Sequence, residues 1–340
     1  MIKNQIVTGI MSYGMSGRVF HTPFIDVHSG FKLNGIVERS QKKAQTNYPD
    51  IISYNSINEL LDDSDVELVI VNTPNDTHVD FAAQALRAGK HVLIEKPFAP
   101  TLSESNYLFE LAQDVGKVIL PFHNRRFDSD FLSLKEVLSH NMVGRPIELH
   151  IRFDRFKPEI GKKLFKESNR PASGILFDLG SHLLDQVISI FGRPKAISKI
   201  SGKYRENSVV DDYGTMILNY SSGLNVFLTV SLLVADPQAS FVLHGDNGSF
   251  IKTRTDVQES QLIQGMLPNS SEYGVEELGN EGVLTISGTD NTLVKQKVIS
   301  KKGSYMQLFD AVYETIRHDK PYFVSKDQIN WQLEILEPAK

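Results

Sequence analysis

The stretch Ile6-Val7-Thr8-Gly9-Ile10-Met11-Ser12-Tyr13-Gly14-Met15-Ser16-Gly17 decides the fold. Ile6 to Met11 reads as a strand, and after one short turn Gly17 to Asp26 reads as a helix. Outward from it the alternation repeats. Strands at Leu33 to Val37, Glu67 to Asn72, His91 to Ile94 and Lys117 to Phe122 are separated by amphipathic stretches at Ser56 to Leu61, His78 to Ala88 and Ser103 to Asp114. Gly89 and Gly116 stand just past two of these helices, where a left-handed cap costs glycine little. Short, almost wholly apolar strands alternating with helices predict a parallel sheet covered on both faces. The expected first domain, residues 1-121, is therefore a doubly wound α/β fold.

Past residue 121 the rhythm changes. Phe131 to Ser139 and Ile175 to Phe191 read as helices, and from about Ile197 strands dominate. Candidates are Asp211 to Tyr220, Leu224 to Val234 and Ser240 to His244, with the turn signals Ser221-Ser222-Gly223 and Gly245-Asp246-Asn247-Gly248 between them. Strands joined by such short turns pair antiparallel. Gln258 to Asn280 is polar and turn-rich and reads as a long surface excursion, and Tyr305 to His318 as a late helix. The expected second domain, residues 122-340, is α+β.

Composition narrows the function. A chain of 340 residues is long enough for two such cores. A formal net charge of -5 without a long basic run offers a nucleic-acid backbone nothing to bind. No apolar stretch approaches the length of a membrane span, and the N-terminus runs into a strand without the pattern of a secretory signal. Cysteine is absent, which excludes disulfides, thiol catalysis and cysteine-ligated metals and agrees with a cytoplasmic setting. A small molecule is the expected partner.

The turn Ser12-Tyr13-Gly14-Met15-Ser16-Gly17 lies between the first strand and the first helix, where a dinucleotide-binding Rossmann fold holds its pyrophosphate. Gly14 lets the backbone approach the ligand, Gly17 lets helix and strand pack closely, and the helix start supplies free N–H groups. Ser12 stands where the pattern has its first glycine. Glu38 follows the second strand, 21 residues beyond Gly17. An acid there can accept both ribose hydroxyls of NAD, whereas Arg39 beside it can stack on adenine or neutralise the 2′-phosphate of NADP. Glu38 tilts the reading toward NAD, while Arg39, Ser40, Lys42 and Lys43 keep NADP open. The bland alternative is a solvated Glu38-Arg39 pair.

Three later motifs complete an ordered set: Thr73-Pro74-Asn75-Asp76-Thr77-His78, Glu95-Lys96-Pro97, and Asp178-Leu179-Gly180-Ser181-His182. Together with Gly17-Arg18-Val19-Phe20-His21, His123-Asn124-Arg125-Arg126-Phe127 and Phe153-Asp154-Arg155-Phe156-Lys157-Pro158, this set resembles the Gfo/Idh/MocA family, the glucose–fructose oxidoreductases and inositol dehydrogenases. The likeness runs over almost the whole chain and is strongest to the bacterial subgroup with scyllo-inositol dehydrogenases. The resemblance implies a Rossmann domain followed by an open, mostly antiparallel sheet that forms homodimers or homotetramers. It implies NAD or NADP as cofactor and a cis Lys96–Pro97 peptide. It places Thr73, Pro74, Asn75 and His78 along the nicotinamide, with Glu95 nearby, and Lys96, Asp178 and His182 in the catalytic pocket.

The chemistry fits those residue types. Oxidising a secondary alcohol needs a base for the hydroxyl proton, a group that stabilises the developing alkoxide, and a fixed approach of the two carbons. Lys96 follows a strand at the edge where open α/β sheets bind ligands, and an ammonium there can stabilise an alkoxide; otherwise it is a surface lysine in a Lys-Pro turn. Asp178, His182 and Asp185 span roughly 60° of one helix face. On an otherwise apolar helix such groups need a wet cavity or one another. Histidine titrates near working pH, so His182 is the expected base and Asp178 its orienting or substrate-binding partner; the alternative is a structural Asp–His pair. Asp185 is expected to support the helix. Asn124, Arg126 and Arg155 are candidate substrate contacts, with ion pairs or solvated loops as the alternative. Asp178 and His182 lack a third ligand at metal spacing, so no metal is expected.

The expected function is NAD(P)-dependent oxidation of a sugar, inositol or related polyol. An NAD-dependent glycosidase acting by transient oxidation and elimination, and a nonenzymatic dinucleotide sensor, are the rivals.

Overall fold

The computed structural model describes residues 4–161, 167–288, 290 and 292–337, and the chain divides into two units. The first runs to Asn124 and then takes back Gln258–Tyr273 and Ser304–Asn330. The second holds Arg125–Val257, Gly274–Gly303 and the chain from Trp331 on.

Six parallel strands form the first unit: β1 (Ile6–Ile10), β2 (Phe31–Val37), β3 (Ile52–Tyr54), β4 (Leu68–Val71), β5 (His91–Ile94) and β6 (Ile119–Pro121). Their order is β3-β2-β1-β4-β5-β6, so the direction of winding reverses between β1 and β4. Such a switch point opens a crevice at the carboxyl ends of the strands. Every side chain of β4 is buried, as expected for a strand covered on both faces. The covering helices are α1 (Thr22–Val27), α2 (Ala44–Asn47), α3 (Ile57–Asp62), α4 (His78–Arg87) and α5 (Leu102–Asp114). Two of them start on a hydroxyl cap: Ser56 Oγ accepts the Glu59 N–H, and Thr101 Oγ1 the Glu104 N–H, each at 3.2 Å. Before α1 the helix is wider. Gly17–His21 is a π-helical turn whose Gly17 carbonyl accepts both the Thr22 N–H and its hydroxyl, the latter at 2.7 Å.

The later segments correct the expected surface excursion. Gln258–Tyr273 carries a helix, α8 (Gln258–Ile263), and both Gln258 and Tyr273 are completely buried. Gln258 Oε1 accepts the Tyr305 N–H at 2.7 Å. Phe309 of α9 (Met306–His318) stacks on Phe24 at 4.8 Å, and Tyr273 meets the same ring edge-on at 6.2 Å. This aromatic cluster needs partners hundreds of positions apart, which local composition does not display.

In the second unit eight strands follow the order β14-β13-β12-β11-β7-β10-β9-β8. They are β7 (Pro146–Asp154), β8 (Ala196–Gly202), β9 (Tyr213–Asn219), β10 (Asn225–Ser231), β11 (Phe241–Gly245), β12 (Gly248–Lys252), β13 (Gly282–Ser287) and β14 (Leu293–Val298). All neighbours are antiparallel except β7 and β10. Register sorts the side chains into two faces. Leu284, Phe250, Leu243, Leu149, Val226 and Leu218 form one transverse row and are buried. One residue out of phase, Val283, Ile251, Val242, His150, Phe227 and Ile217 form a more open row, exposed at Val283 and Ile251 and half-buried at the other four. Helix α7 (Ser181–Phe191) packs on β7; α6 (Ser129–Ser139) and the second part of α10 (Lys326–Leu336) complete the unit.

The start of α6 buries charge. Asp130 Oδ2 accepts the backbone N–H groups of Thr255 and Asp256, and Asp256 Oδ2 that of Ser129. Arg254 lies over Phe153 at 4.3 Å and reaches Asp128 at 3.8 Å. Burial, helped by the Asp256 charge, pushes the Asp128 carboxyl well above its ordinary 3.8 despite Arg125 and Arg254. The folded state therefore holds this proton more tightly than the unfolded chain. The stabilisation is full below 3.8 and is lost as pH rises through the raised value. Asp128→Asn is accordingly expected to raise the melting temperature relative to wild type at about pH 8 and much less at about pH 4. A gain that shrinks with rising pH would contradict this.

Candidate functional site

At the β1 edge, the turn is held by its own side chains. Ser12 Oγ accepts the Gly14 N–H at 3.2 Å, so the hydroxyl closes the tight turn that the usual glycine would make by conformational freedom. Asn72, at the end of β4, donates from Nδ2 to the Ser12 carbonyl at 2.8 Å and ties the two central loops together. Gly17 admits no side chain: a Cβ there would lie 2.0 Å from Ser12 O and 2.9 Å from Asn72 Nδ2. Around Gly14, by contrast, a Cβ would meet Ser12 Oγ at 3.4 Å and otherwise open space among the described residues. Tyr13, Gly14, Met15, Arg18, Lys43 and Asn47 line a cleft of about 320 Å³ over this turn. Ser16 precedes the π-helical turn with helical backbone angles.

At the β2 edge, Glu38 is buried and turned into its own loop. Its two carboxylate oxygens accept the N–H groups of Lys43 and Ala44, each at 3.0 Å, at the start of α2. Lys42 Nζ donates to the Glu38, Ser53 and Tyr54 carbonyls at 2.7, 3.3 and 3.2 Å. Arg39 and Lys43 are exposed.

At the β4 and β5 edges, Thr73 Oγ1 lies 2.6 Å from Thr77 Oγ1, and Pro74 and Asn75 lead into a short 3-10 turn before α4. His78 is buried beneath them. Its Nε2 lies 2.9 Å from the Thr73 carbonyl and its Nδ1 2.9 Å from that of Pro97. It thus braces the two loops from below, where the resemblance had placed it along the nicotinamide. The Lys96–Pro97 peptide is cis, as the resemblance implied. Glu95 Oε2 accepts the Lys96 N–H at 3.1 Å, and its Oε1 meets Nε2 of the fully buried His21 at 2.9 Å. Burial alone would raise the Glu95 carboxyl, but the His21 hydrogen bond and the nearby positive charges leave it below the ordinary value. Lys96 itself is half-buried, and Asn124 is buried just past β6.

Within the second unit, Asp178 sits in a π-helical turn, Leu176–Gly180, that runs into α7. Helices widened in this way recur at functional sites. The helix start is fixed from β9's approach: Asp211 accepts the Ile175 N–H on its carbonyl and the Leu176 N–H on Oδ2. Gly214 of β9 makes room for Leu176, whose Cδ2 would lie 2.4 Å from a Cβ there. Asp178 is half-buried and His182 buried. Arg126, expected at a substrate, is instead committed to Asp185. Its Nε and Nη2 donate to the two carboxylate oxygens at 2.8 and 2.7 Å, and Gln332 Nε2 adds a third bond at 3.0 Å. Arg155 lies 5.1 Å from the Phe153 ring centroid.

Sequence reasoning missed Asn72, Arg18 and the structural use of Lys42. An asparagine closing an apolar strand was the available signal for the first. The residues at the β1 edge fit a dinucleotide: an open glycine backbone and a helix start beside a cleft are what a pyrophosphate requires. Ser12, Tyr13, Gly14, Met15, Ser16 and Gly17 would hold it.

Comparison with known proteins agrees. Residues 6–123 match the description "Oxidoreductase family, NAD-binding Rossmann fold", and residues 131–251 match "GFO/IDH/MocA C-terminal domain". The chain is 32% identical to the scyllo-inositol 2-dehydrogenase (NADP(+)) IolW of Bacillus subtilis, across 99% of this chain and 93% of that protein. It is 33% identical to YdgJ, an uncharacterized oxidoreductase of Escherichia coli, across 99% of this chain and 96% of that protein. The crystal structure of an oxidoreductase from Bacillus cereus superposes with a TM-score of 0.90 at 30% identity, covering 98% of this chain and 95% of that one. The chain belongs to the Gfo/Idh/MocA family of NAD(P)-dependent oxidoreductases.

Proposed function

We propose that this oxidoreductase transfers hydride between a nicotinamide dinucleotide and a secondary alcohol of an inositol, sugar or related polyol. The observation that supports the reading is a histidine and a carboxylate, His182 and Asp178, at a widened helix of the second unit; the first unit, described by itself, holds an ammonium, Lys96, on its β5 edge. A bound nicotinamide supplies the hydride acceptor or donor. Lys96 is assigned the task of donating to the substrate oxygen and stabilising its negative charge. His182 takes the hydroxyl proton in the oxidative direction and returns it in the reductive one. Asp178 orients His182 or holds a second hydroxyl. Thr73, Pro74 and Asn75 flank the cofactor, while His78 and Glu95 hold their loops in place. Arg155 and Asn124 are retained as substrate contacts; Arg126 acts through Asp185 on the shape of the helix.

The test is a panel of inositols, sugars and the corresponding ketones with NAD and NADP, read by absorbance of the reduced nicotinamide. Turnover with at least one cyclic polyol is expected. Inertness across the panel, with dinucleotide bound, would favour a sensor instead.

We further propose that a second copy of the chain covers the open row of the eight-stranded sheet, giving a homodimer or homotetramer. His150 and Phe227 stack there at 4.7 Å with Ile217 and Val242 beside them, an arrangement solvent does not reward. Phe227→Lys is expected to convert the oligomer to monomer in light-scattering measurements; an unchanged mass would contradict it.

A further inference from the structure

We propose that the cleft over the β1 turn selects the 2′-phosphate of NADP, and that Glu38 serves this choice as a loop clamp and not as a reader of ribose. The inference rests on the dinucleotide reading given above and specifies which dinucleotide.

An acid at the end of β2 normally discriminates by offering its carboxylate to the two ribose hydroxyls and repelling a phosphate. Here that offer is already taken. Both Glu38 oxygens accept backbone N–H groups, from Lys43 and Ala44, and the side chain is buried. Lys42 pins the same segment from behind through three carbonyls. The charge of Glu38 therefore faces the loop interior, and its bonds fix the turn that carries Lys43.

What the loop presents outward is cationic. Lys43 and Arg18 line the cleft with Tyr13 and Asn47, and the Asn47 amide reaches the Tyr13 hydroxyl at 3.4 Å. Arg18, Arg39 and Lys43 are all exposed, and their side chains carry no ion pair among the described residues. Uncommitted cations beside a glycine turn suit a phosphomonoester, whose bonds to them are charge-assisted. Ribose hydroxyls alone would leave that charge unmatched.

The two roles of Glu38 make opposite predictions for its removal. A ribose-reading acid, once deleted, gives up NAD and admits NADP. A clamp, once deleted, loosens Lys43 and weakens NADP. The experiment is calorimetric titration of the full-length protein and its variants with NADP⁺, NAD⁺, 2′,5′-ADP and 5′-ADP. Wild type is expected to bind NADP⁺ at least about tenfold more tightly than NAD⁺, and 2′,5′-ADP more tightly than 5′-ADP. Lys43→Gln is expected to weaken NADP⁺ by about threefold to tenfold while leaving NAD⁺ unchanged. Glu38→Ala is expected to lower NADP⁺ affinity. Equal or tighter binding of NAD⁺ by wild type, or a gain in NADP⁺ affinity in Glu38→Ala, overturns the inference while leaving the dinucleotide site intact. Binding of neither dinucleotide overturns the site itself. Should Glu38→Ala not fold, the wild-type titration and the surface variant Lys43→Gln still decide.

Discussion

Replacing His182 with alanine is expected to reduce turnover by about a hundredfold to ten-thousandfold, the range for a positioned general base. Dinucleotide affinity is expected to stay within about twofold, because the turn proposed to hold the cofactor lies in the other unit and is built from its own side chains. His182 is buried on α7, next to the widened turn that carries Asp178. The split between turnover and binding separates the base from a structural histidine, whose loss would lower stability and both readouts together. Turnover within about threefold of wild type would remove His182 from the chemistry.

A second large effect is expected on stability. Asp185→Ala should destabilise the second unit by about 3–5 kcal/mol in urea denaturation, because it takes the bidentate carboxylate away from the buried Arg126 guanidinium. Both partners are almost inaccessible, with side chains 8% and 2% exposed, and the geometry is bidentate. The cost belongs to a buried charge losing its carboxylate more than to the pair itself. The double variant Arg126→Met, Asp185→Leu should therefore recover much of the loss, as apolar replacement of a whole buried pair often does. A single variant costing less than about 1 kcal/mol would mean that water reaches Arg126.

These two residues also mark what could be read in advance. Asp185 was expected to support its helix, since it shares a face with Asp178 and His182 on an apolar background. Arg126 reads from sequence as a substrate contact, because a run of polar residues after the last strand says nothing about which of them turns inward. The six-stranded parallel sheet was legible because each strand and helix announces itself within a dozen residues. Two short elements, β3 and α2, escaped that pattern. The eight-stranded sheet was legible in kind but not in extent: β7 alternates Leu149, Ile151 and Phe153 with Glu148, His150, Arg152 and Asp154, a period-two signal that was overlooked.

Other features were not local at all. Tyr273 joins the aromatic cluster around Phe24 from a polar stretch, and nothing near it foretells the return. The use of Glu38 depended on a four-residue helix, α2, whose first N–H groups it satisfies. A motif fixes that an acid stands at the end of β2; which way its carboxylate faces is decided by the next loop. Ser12 is the reverse case. It departed from the expected glycine, and its hydroxyl restores the turn by accepting the Gly14 N–H.

The proposed reaction transfers a carbon-bound hydrogen directly from a polyol to the nicotinamide ring. Its most direct test is turnover of carbon-deuterated scyllo-inositol or another polyol accepted in the panel, in ordinary water, followed by mass spectrometry of the reduced dinucleotide. One deuterium per reduced nicotinamide is expected, with none appearing in solvent. Reduced cofactor carrying only hydrogen, or polyol consumed while the dinucleotide stays oxidised throughout, would contradict it.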